Sequence, residues 1–414
     1  MKMNKKVKYL YLLSISLLLV CFFVSGVMAQ ITIEVWTTND PEMDTPTGRY
    51  MKLMENTIEE QNPNIKVDSV PYGGDVIERT FAVAHSAGNP PDVIKLRRHF
   101  LSTHVALGSI ASLTELYEGW EGRPEFFQNF IDDVTFNGEI MAIPQFSDTV
   151  CFAYRKDLYE KNGLNVPKNW EELIENAKIL TKEDMWGFGT MTDNSLGTPE
   201  RWFYFLLAQG GEPLNSDGKA TYDSEEGIKA LQFYVDLANK YKVMPRDVAT
   251  SMDDLIMGFT SGVYAQIPIL TGQIYQIPDE FRENKLGLAR LPVPEGGKEV
   301  IYTGGWVWAM SPLTENKEEA WEVIKILSGG YSQVQFSVAC GQIPISFPAY
   351  EDPELPEYVP FVADYIKDAG VMYPQHERYP ELLEGLAEAI QKAIMEIETP
   401  EQALKKAAES FNQK

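Results

Sequence analysis

31-ITIEVWTTNDPEMDTPTGRYMKLMENTIEEQNPNIKVDSV-70 carries one full repeat of an α/β grammar. Its opening run, Ile31-Thr32-Ile33-Glu34-Val35-Trp36, alternates and is rich in β-branched residues, which predicts a strand. A polar loop from Thr37 to Pro46 follows. Tyr50, Leu53, Met54, Thr57 and Ile58 then recur at helical spacing, giving an amphipathic helix one apolar face. Asn62-Pro63 stops that helix, and Ile65 to Val70 reads as a second strand. Strand, helix and strand in this order make a βαβ unit, which builds a parallel sheet with crossover helices.

The same grammar continues outward. Pro91-Asp92-Val93-Ile94 predicts a short buried strand. Asn169 precedes a helical run and Glu172 stands three residues on, an N-terminal capping pattern. Residues 225–241 and Glu318 to Leu327 read as further amphipathic helices, the second ended by Gly329-Gly330. Near the end, Leu382, Leu383, Leu386, Ala389, Ile390, Ala393, Ile394 and Ile397 repeat at helical spacing. With 414 residues, 44% of them hydrophobic, the chain holds more apolar side chain than one simple core takes, so about two domains are expected.

The first residues stand apart. Lys2, Lys5, Lys6 and Lys8 form a basic segment, Tyr9 to Val24 an apolar one, and Val27-Met28-Ala29 a small-residue cleavage pattern. This is the signature of a secretory leader, residues 1–29, with cleavage expected after Ala29. The apolar run is short for a membrane span, which needs roughly 20 residues. Losing the leader removes four lysines and no acid, so the formal charge of −24 becomes −28. Such a chain is repelled by nucleic acid and anionic lipid, and neither is an expected partner. Cys151 and Cys340 sit in apolar surroundings and read as free and buried, with Cys21 in the leader.

No Walker A loop, HExxH, CxxC or GxSxG motif is present, and His85, His99, His104 and His376 show no metal-ligand spacing. No cofactor or metal is expected, and no enzyme activity. Sixty acidic residues leave an acid pair of glycosidase type open, although nothing in the pattern singles one out.

Several segments together resemble the family 1 extracellular solute-binding proteins, the maltose-binding-protein-like components of ABC sugar importers. They are Asn89-Pro90-Pro91-Asp92-Val93, then Gly108 to Thr114, and above all FNGEIMAIPQFSDTVCFAYRKDLYEKNGLNVPKNWEEL at 136–173. FTSGVYAQIP (259–268), YTGGWVWAM (302–310), NKEEAWEVIKIL (316–327), CGQIPIS (340–346) and TPEQALKKAAES (399–410) follow in the family's order. The resemblance implies an α/β fold of two lobes, the periplasmic-binding-protein fold of class II type, each lobe a mixed sheet flanked by helices. Residues 30–144 with 291–332 would form lobe 1, and 145–290 with 333–414 lobe 2. Hinge crossings are expected near Ala142 to Gln145, Ala289 to Pro292 and Tyr331 to Cys340. Ligand would lie in the cleft beyond the strand ends, and the lobes would close on it as hinged bodies.

A pyranose offers hydroxyls at its rim and C–H patches on its faces, so polar groups and aromatic rings on loops after strands are the candidates. Thr38 and Asn39 follow the first strand, after Thr37, and Tyr72 follows the second. Lys95, Arg97 and Arg98 follow Val93-Ile94. By the resemblance, Asp148 stands where the family carries a sugar-binding acid. Trp202 belongs to a run whose counterpart lines the cleft, and Gln266, with Ile269, falls on another cleft edge. Trp306 follows Gly304-Gly305, small residues that leave a ring open to a ligand, and Trp308 points to the same side. Tyr373, Glu377 and Arg378, with His376 and Tyr379, form a polar and aromatic cluster before the last helices. The reading is a secreted, monomeric sugar-binding partner of membrane permease subunits, placed in a periplasm or at a cell surface. A polyamine or phosphorylated polyol binder in the same fold remains open: cleft carboxylates would serve the first, and Lys95, Arg97 and Arg98 the second. A secreted glycosidase is the third reading.

Overall fold

The computed structural model describes residues 30–74, 76–246 and 250–413. The expected leader and its cleavage after Ala29 lie outside the described residues. β1 (Ile31–Thr37) leads through α1 (Pro46–Gln61) to β2 (Ile65–Pro71), the βαβ unit that the opening stretch predicts. The Thr45 side chain accepts from the Gly48 N–H, and Pro46 opens the helix where a missing N–H costs nothing. Tyr50, Met51, Met54 and Ile58 form its buried face, with Leu53 and Thr57 at the half-buried margin. β3 (Val93–Arg97) and β4 (Ile143–Pro144) follow. The chain then runs through β5 (Val150–Arg155), α2 (Gly197–Ala208), β6 (Gln266–Leu270) and β7 (Leu286–Ala289). It continues through β8 (Ile301–Thr303), β9 (Trp306–Met310), α3 (Gly330–Cys340), β10 (Gly370–Met372) and α4 (Tyr379–Ile394) to α5 (Pro400–Asn412).

Two sheets organise two bodies. The five-stranded sheet has the order β2-β1-β3-β9-β4. β1 pairs in parallel with β2, from Ile31 opposite Ile65 to Thr37 opposite Pro71, and in parallel with β3. β9 returns antiparallel to β3, setting Trp306 opposite Arg97 and Trp308 opposite Lys95. The three-stranded sheet has the order β7-β5-β6, with both pairings antiparallel. Apolar faces of β1, β3, β9, α1 and α3 meet in a first core that includes Val35, Met54, Leu96, Val307 and Phe336. A second core joins β5, α2, α4 and α5 through Phe152, Phe203, Leu386 and Leu404. Among the described residues no helix is long and apolar enough to cross a membrane.

The chain passes between the cores at 146–150, 302–307 and 345–359. The first passage falls beside the expected crossing near Ala142 to Gln145. The second lies later than Ala289 to Pro292, because β8 pairs in parallel with β10 and so keeps Ile301 and Tyr302 in the second core. The third lies later than Tyr331 to Cys340. There α3 packs on α1, with the Phe336 ring 4.5 Å from that of Tyr50 and the Tyr50 hydroxyl 2.7 Å from that of Ser332. Ser346–Phe347 also pairs with Glu125–Phe126, which ties that strand to the first body, while Ile343 just before it packs in the second core.

Local expectations fare better. The Asn169 side chain accepts from the Glu172 N–H at the start of Trp170–Leu180, and helices at Glu225–Asn239 and Lys317–Ser328 match their periodicity. Cys151 and Cys340 are free and buried. Ile397 is a correction: α4 ends at Ile394, Glu396 turns the backbone with φ of 57°, and Ile397 is 69% exposed.

Candidate functional site

The first two passages between the bodies run side by side. The Gly304 N–H donates to the Asp148 carbonyl at 3.1 Å, and the hydroxyls of Ser147 and Thr303 meet at 2.6 Å. Gly305 has φ of +129°, and a Cβ there would fall 2.0 Å from the Phe146 carbonyl oxygen. A Cβ on Gly304 would press within 3.2 Å of both the Asp148 carboxylate and the Tyr373 ring. Glycine alone permits this approach. Beside these passages a cavity of about 360 Å³ opens between the bodies.

Its first wall comes from the ends of β3 and β9. Trp306 is half-buried and lines the cavity with Gly74, Arg97 and His99. Arg97 is clamped by Glu78, its Nε at 2.9 Å from Oε1 and its Nη2 at 3.3 Å from Oε2. Behind Trp306 sits Lys95, only 1% exposed, with its Nζ 5.4 Å from the Trp306 ring and 5.0–5.7 Å from Phe336, Phe146 and Trp308. Burial pushes the Lys95 ammonium down to about 7.

The facing wall comes from the start of α2 and the loop before it: Asp193, Ser195, Gly197, Glu200 and Arg201. Glu200 Oε1 lies 3.0 Å from His99 Nε2 across the cleft, and its Oε2 lies 4.0 Å from the Arg201 guanidinium. Burial pushes Glu200 up, but His99, Arg97 and Arg201 together outweigh it and hold the carboxyl below its usual range. Burial lowers His99 against the pull of Glu200, which favours the neutral ring. Asp148 enters from the first passage. Burial pushes its carboxyl up to about 6, Arg201 and Arg98 oppose that, and Glu200 adds to it. Tyr373 completes the cavity, its ring stacked 4.4 Å from Tyr302 and its hydroxyl 3.2 Å from that of Tyr204.

Of the residues singled out from sequence, Arg97, Asp148, Trp306 and Tyr373 line this cavity. The others lie elsewhere. Thr38 is half-buried, and Asn39 is buried with its N–H donating to the Thr37 hydroxyl at 3.2 Å. Tyr72 packs 4.4 Å from Trp36. Arg98 is buried in an ion pair with Asp133 and donates to the Thr303 carbonyl at 3.4 Å. Trp202 is a correction: it is fully buried in the second core, because α2 turns neighbouring positions to different faces and presents Arg201 instead. Gln266 is fully buried too, accepting from the Tyr159 hydroxyl at 2.6 Å and donating to the Gly187 carbonyl at 2.7 Å, and Ile269 and Trp308 are core. Glu377 is exposed, and its carbonyl accepts from the Thr103 hydroxyl at 2.8 Å. Arg378 lies over the Phe411 ring at 4.5 Å and donates to Glu381 at 2.9 Å. His376 also packs on Phe411, and Tyr379 is core. His99, Asp193, Ser195 and Glu200 escaped sequence reading because they come from a short turn, a loop and a helix start that only the fold brings together, and Arg201 lies in the cleft-lining run from which the sequence reading chose Trp202. Among the described residues no group of three or more His, Cys, Asp or Glu is placed to hold a metal.

Residues 44–329, more than half of the chain, match the family of the bacterial extracellular solute-binding proteins. Maltose-bound MalE3 of T. maritima shares the fold with a TM-score of 0.83 at 29% identity, over 92% of this chain and 98% of that one. A solute-binding protein of an ABC transporter from Thermotoga lettingae, bound with α-D-tagatose, gives 0.80 at 26% identity, over 92% and 99%. A Sinorhizobium fredii protein named "Probable amino-acid ABC transporter periplasmic-binding protein" is 23% identical over 287 residues, 66% of this chain and 65% of its own length. Two α/β bodies with a polar cleft between them fit this kinship. The chain belongs to the bacterial extracellular solute-binding proteins, the ligand-capturing components of ABC transporters.

Proposed function

We propose that the protein captures an uncharged sugar, an oligosaccharide, between its two bodies and hands it to the permease subunits of an importer. In this reading it works as a secreted monomer and leaves its ligand chemically intact. The observation that carries the proposal is one cavity walled by a half-buried indole, Trp306, and by buried polar groups, Asp148 and Arg201. The indole offers a face for the C–H patches of a pyranose, and the polar groups offer charge-assisted hydrogen bonds to its rim. Two similar structures hold maltose and α-D-tagatose.

A phosphorylated ligand fits poorly. Arg97 is held by Glu78, Arg98 by Asp133, Lys95 is sealed behind Trp306, and the remaining guanidinium, Arg201, shares the cavity with the carboxylates of Asp148, Asp193, Glu200 and Asp253. An amino-bearing solute is the second reading, favoured by the carboxylates of Asp148, Asp193, Glu200 and Asp253 around the cavity. A melting-temperature screen separates them. A ligand present at 100 times its Kd stabilises the native state by about 2.7 kcal/mol, a rise of roughly a few degrees. The expected result is such a rise with maltose, maltotriose or α-D-tagatose, with the sugar recovered intact. A rise with spermidine or an amino acid alone supports the second reading, and hydrolysed maltotriose would make the protein an enzyme.

A further inference from the structure

Arg201 is a costly residue to place where it stands. It is 5% exposed, and its Nε has no hydrogen-bond partner among the described residues. Its nearest carboxylate among the described residues is Glu200 at 4.0 Å, beyond hydrogen-bond reach, and Glu200 lies closer to His99, at 3.0 Å. A buried guanidinium left without a full set of acceptors weakens the fold unless something else supplies them. Arg201 borders the cavity between the bodies, in the company of Asp148, Trp306 and Tyr373. It also lies close enough to Asp148 to pull that carboxyl down against its burial.

The local sequence explains why an arginine is held there. α2 begins at Gly197 with no side-chain cap, and its first turn faces the cavity through Gly197, Glu200 and Arg201. The next residues, Trp202 and Phe203, are fully buried and fix the helix against the second core. The backbone that carries Arg201 is therefore held in place at the cavity wall. A rigid planar fork with an open donor suits two neighbouring oxygens in one plane, such as a pair of adjacent ring hydroxyls. Asp148 then serves as the matching acceptor for a hydroxyl hydrogen, and Trp306 as the platform for the ring.

We propose that Arg201 determines specificity, its guanidinium donating to a vicinal hydroxyl pair on the sugar ring that lies against Trp306. The proposal rests on the sugar-binding reading above. Uncharged ligands are preferred over anionic ones, because Glu200, Asp148, Asp193 and Asp253 share the cavity with this single unclamped cation. The site therefore reads hydroxyl configuration, where substitution of one hydroxyl removes two partners' worth of geometry.

Calorimetric titration of the full chain tests this. The parent, Arg201→Lys and Arg201→Met are titrated with maltose, α-D-tagatose and the monodeoxy derivatives of whichever binds. Arg201→Met is expected to bind the sugar at least about 100-fold more weakly, and Arg201→Lys about 10-fold, since lysine keeps the charge and loses the fork. The parent should prefer the full sugar over one monodeoxy derivative by at least about tenfold, and Arg201→Met should lose that preference. A purely structural role would weaken all ligands alike and leave the preference in place, which would overturn the proposal. So would an Arg201→Met or Arg201→Lys protein that binds within threefold of the parent. If Arg201→Met fails to fold, Arg201→Lys and the deoxy series decide. If the parent binds neither sugar, the sugar-binding reading itself fails, and that outcome is distinct from a sugar-binding parent whose Arg201 variants are unaffected.

Discussion

Asp148 reaches the cavity from backbone that has just left the first core, and nine-tenths of its surface is hidden from water. Burial raises its carboxyl from 3.8 to about 6, with Arg201 as the main opposing influence. The folded protein thus holds this proton more tightly than the unfolded chain does. Its contribution is complete below about pH 4 and is lost as pH rises through about 6, so above that range the ionised group is a net cost. Asp148→Asn is expected to stabilise the protein by about 2 kcal/mol at pH 8, with the difference fading below about pH 4. Urea midpoints at the two pH values check this. The same variant should bind sugar more weakly, because an amide presents only one acceptor oxygen where the carboxylate has two. Stability and affinity moving in opposite directions is what a residue kept for binding predicts.

At the scale of the element, β3 and β9 do opposite things with alternate pairs. Trp306 opposite Arg97 meets the cavity, whereas Trp308 opposite Lys95 closes the core. Lys95 lies among four rings, and among the described residues no carboxylate is within ion-pair distance of it. Burial lowers the ammonium from 10.5 to about 7. Stability linked to it is therefore complete only above about pH 10.5 and is lost as pH falls through about 7. Lys95→Met should raise stability at pH 7 by on the order of a few kcal/mol, since it removes an ammonium that burial disfavours and keeps the side-chain volume. The parent should gain on the variant between pH 7 and 10, read from denaturant midpoints. Elements of this kind are where sequence reading succeeds. Helix ends are written in Asn169-x-x-Glu172, which caps as expected, and the first βαβ unit is written in alternation followed by helical spacing. Ile397 shows the limit: periodicity continues past Ile394, but a turn at Glu396 ends the helix first.

For the whole molecule, the kinship was legible in the order of weak segments spread along the chain, and it carries the two-body fold. The second and third passages between the bodies were not legible, since they depend on partners distant in sequence. β8 belongs with β10, and α3 belongs with α1. The site was half legible for the same reason. Trp306 and Asp148 stand beside markers that a sequence displays, Gly304-Gly305 and the Ile143-Pro144 pair that leads into the first passage. His99, Glu200 and Arg201 come together only because α2 begins at the cleft, and the pattern of α2 distinguishes Arg201 from Trp202 only once its core face is known. Sugar capture between the bodies requires that a sugar lie against Trp306, the one half-buried indole of the cavity. A calorimetric titration of the parent and of Trp306→Ala with maltose tests this most directly. The account predicts measurable binding by the parent and a loss of about 100-fold or more in the variant, with melting temperatures of the two unliganded proteins within a few degrees. Equal affinity in parent and Trp306→Ala would contradict it.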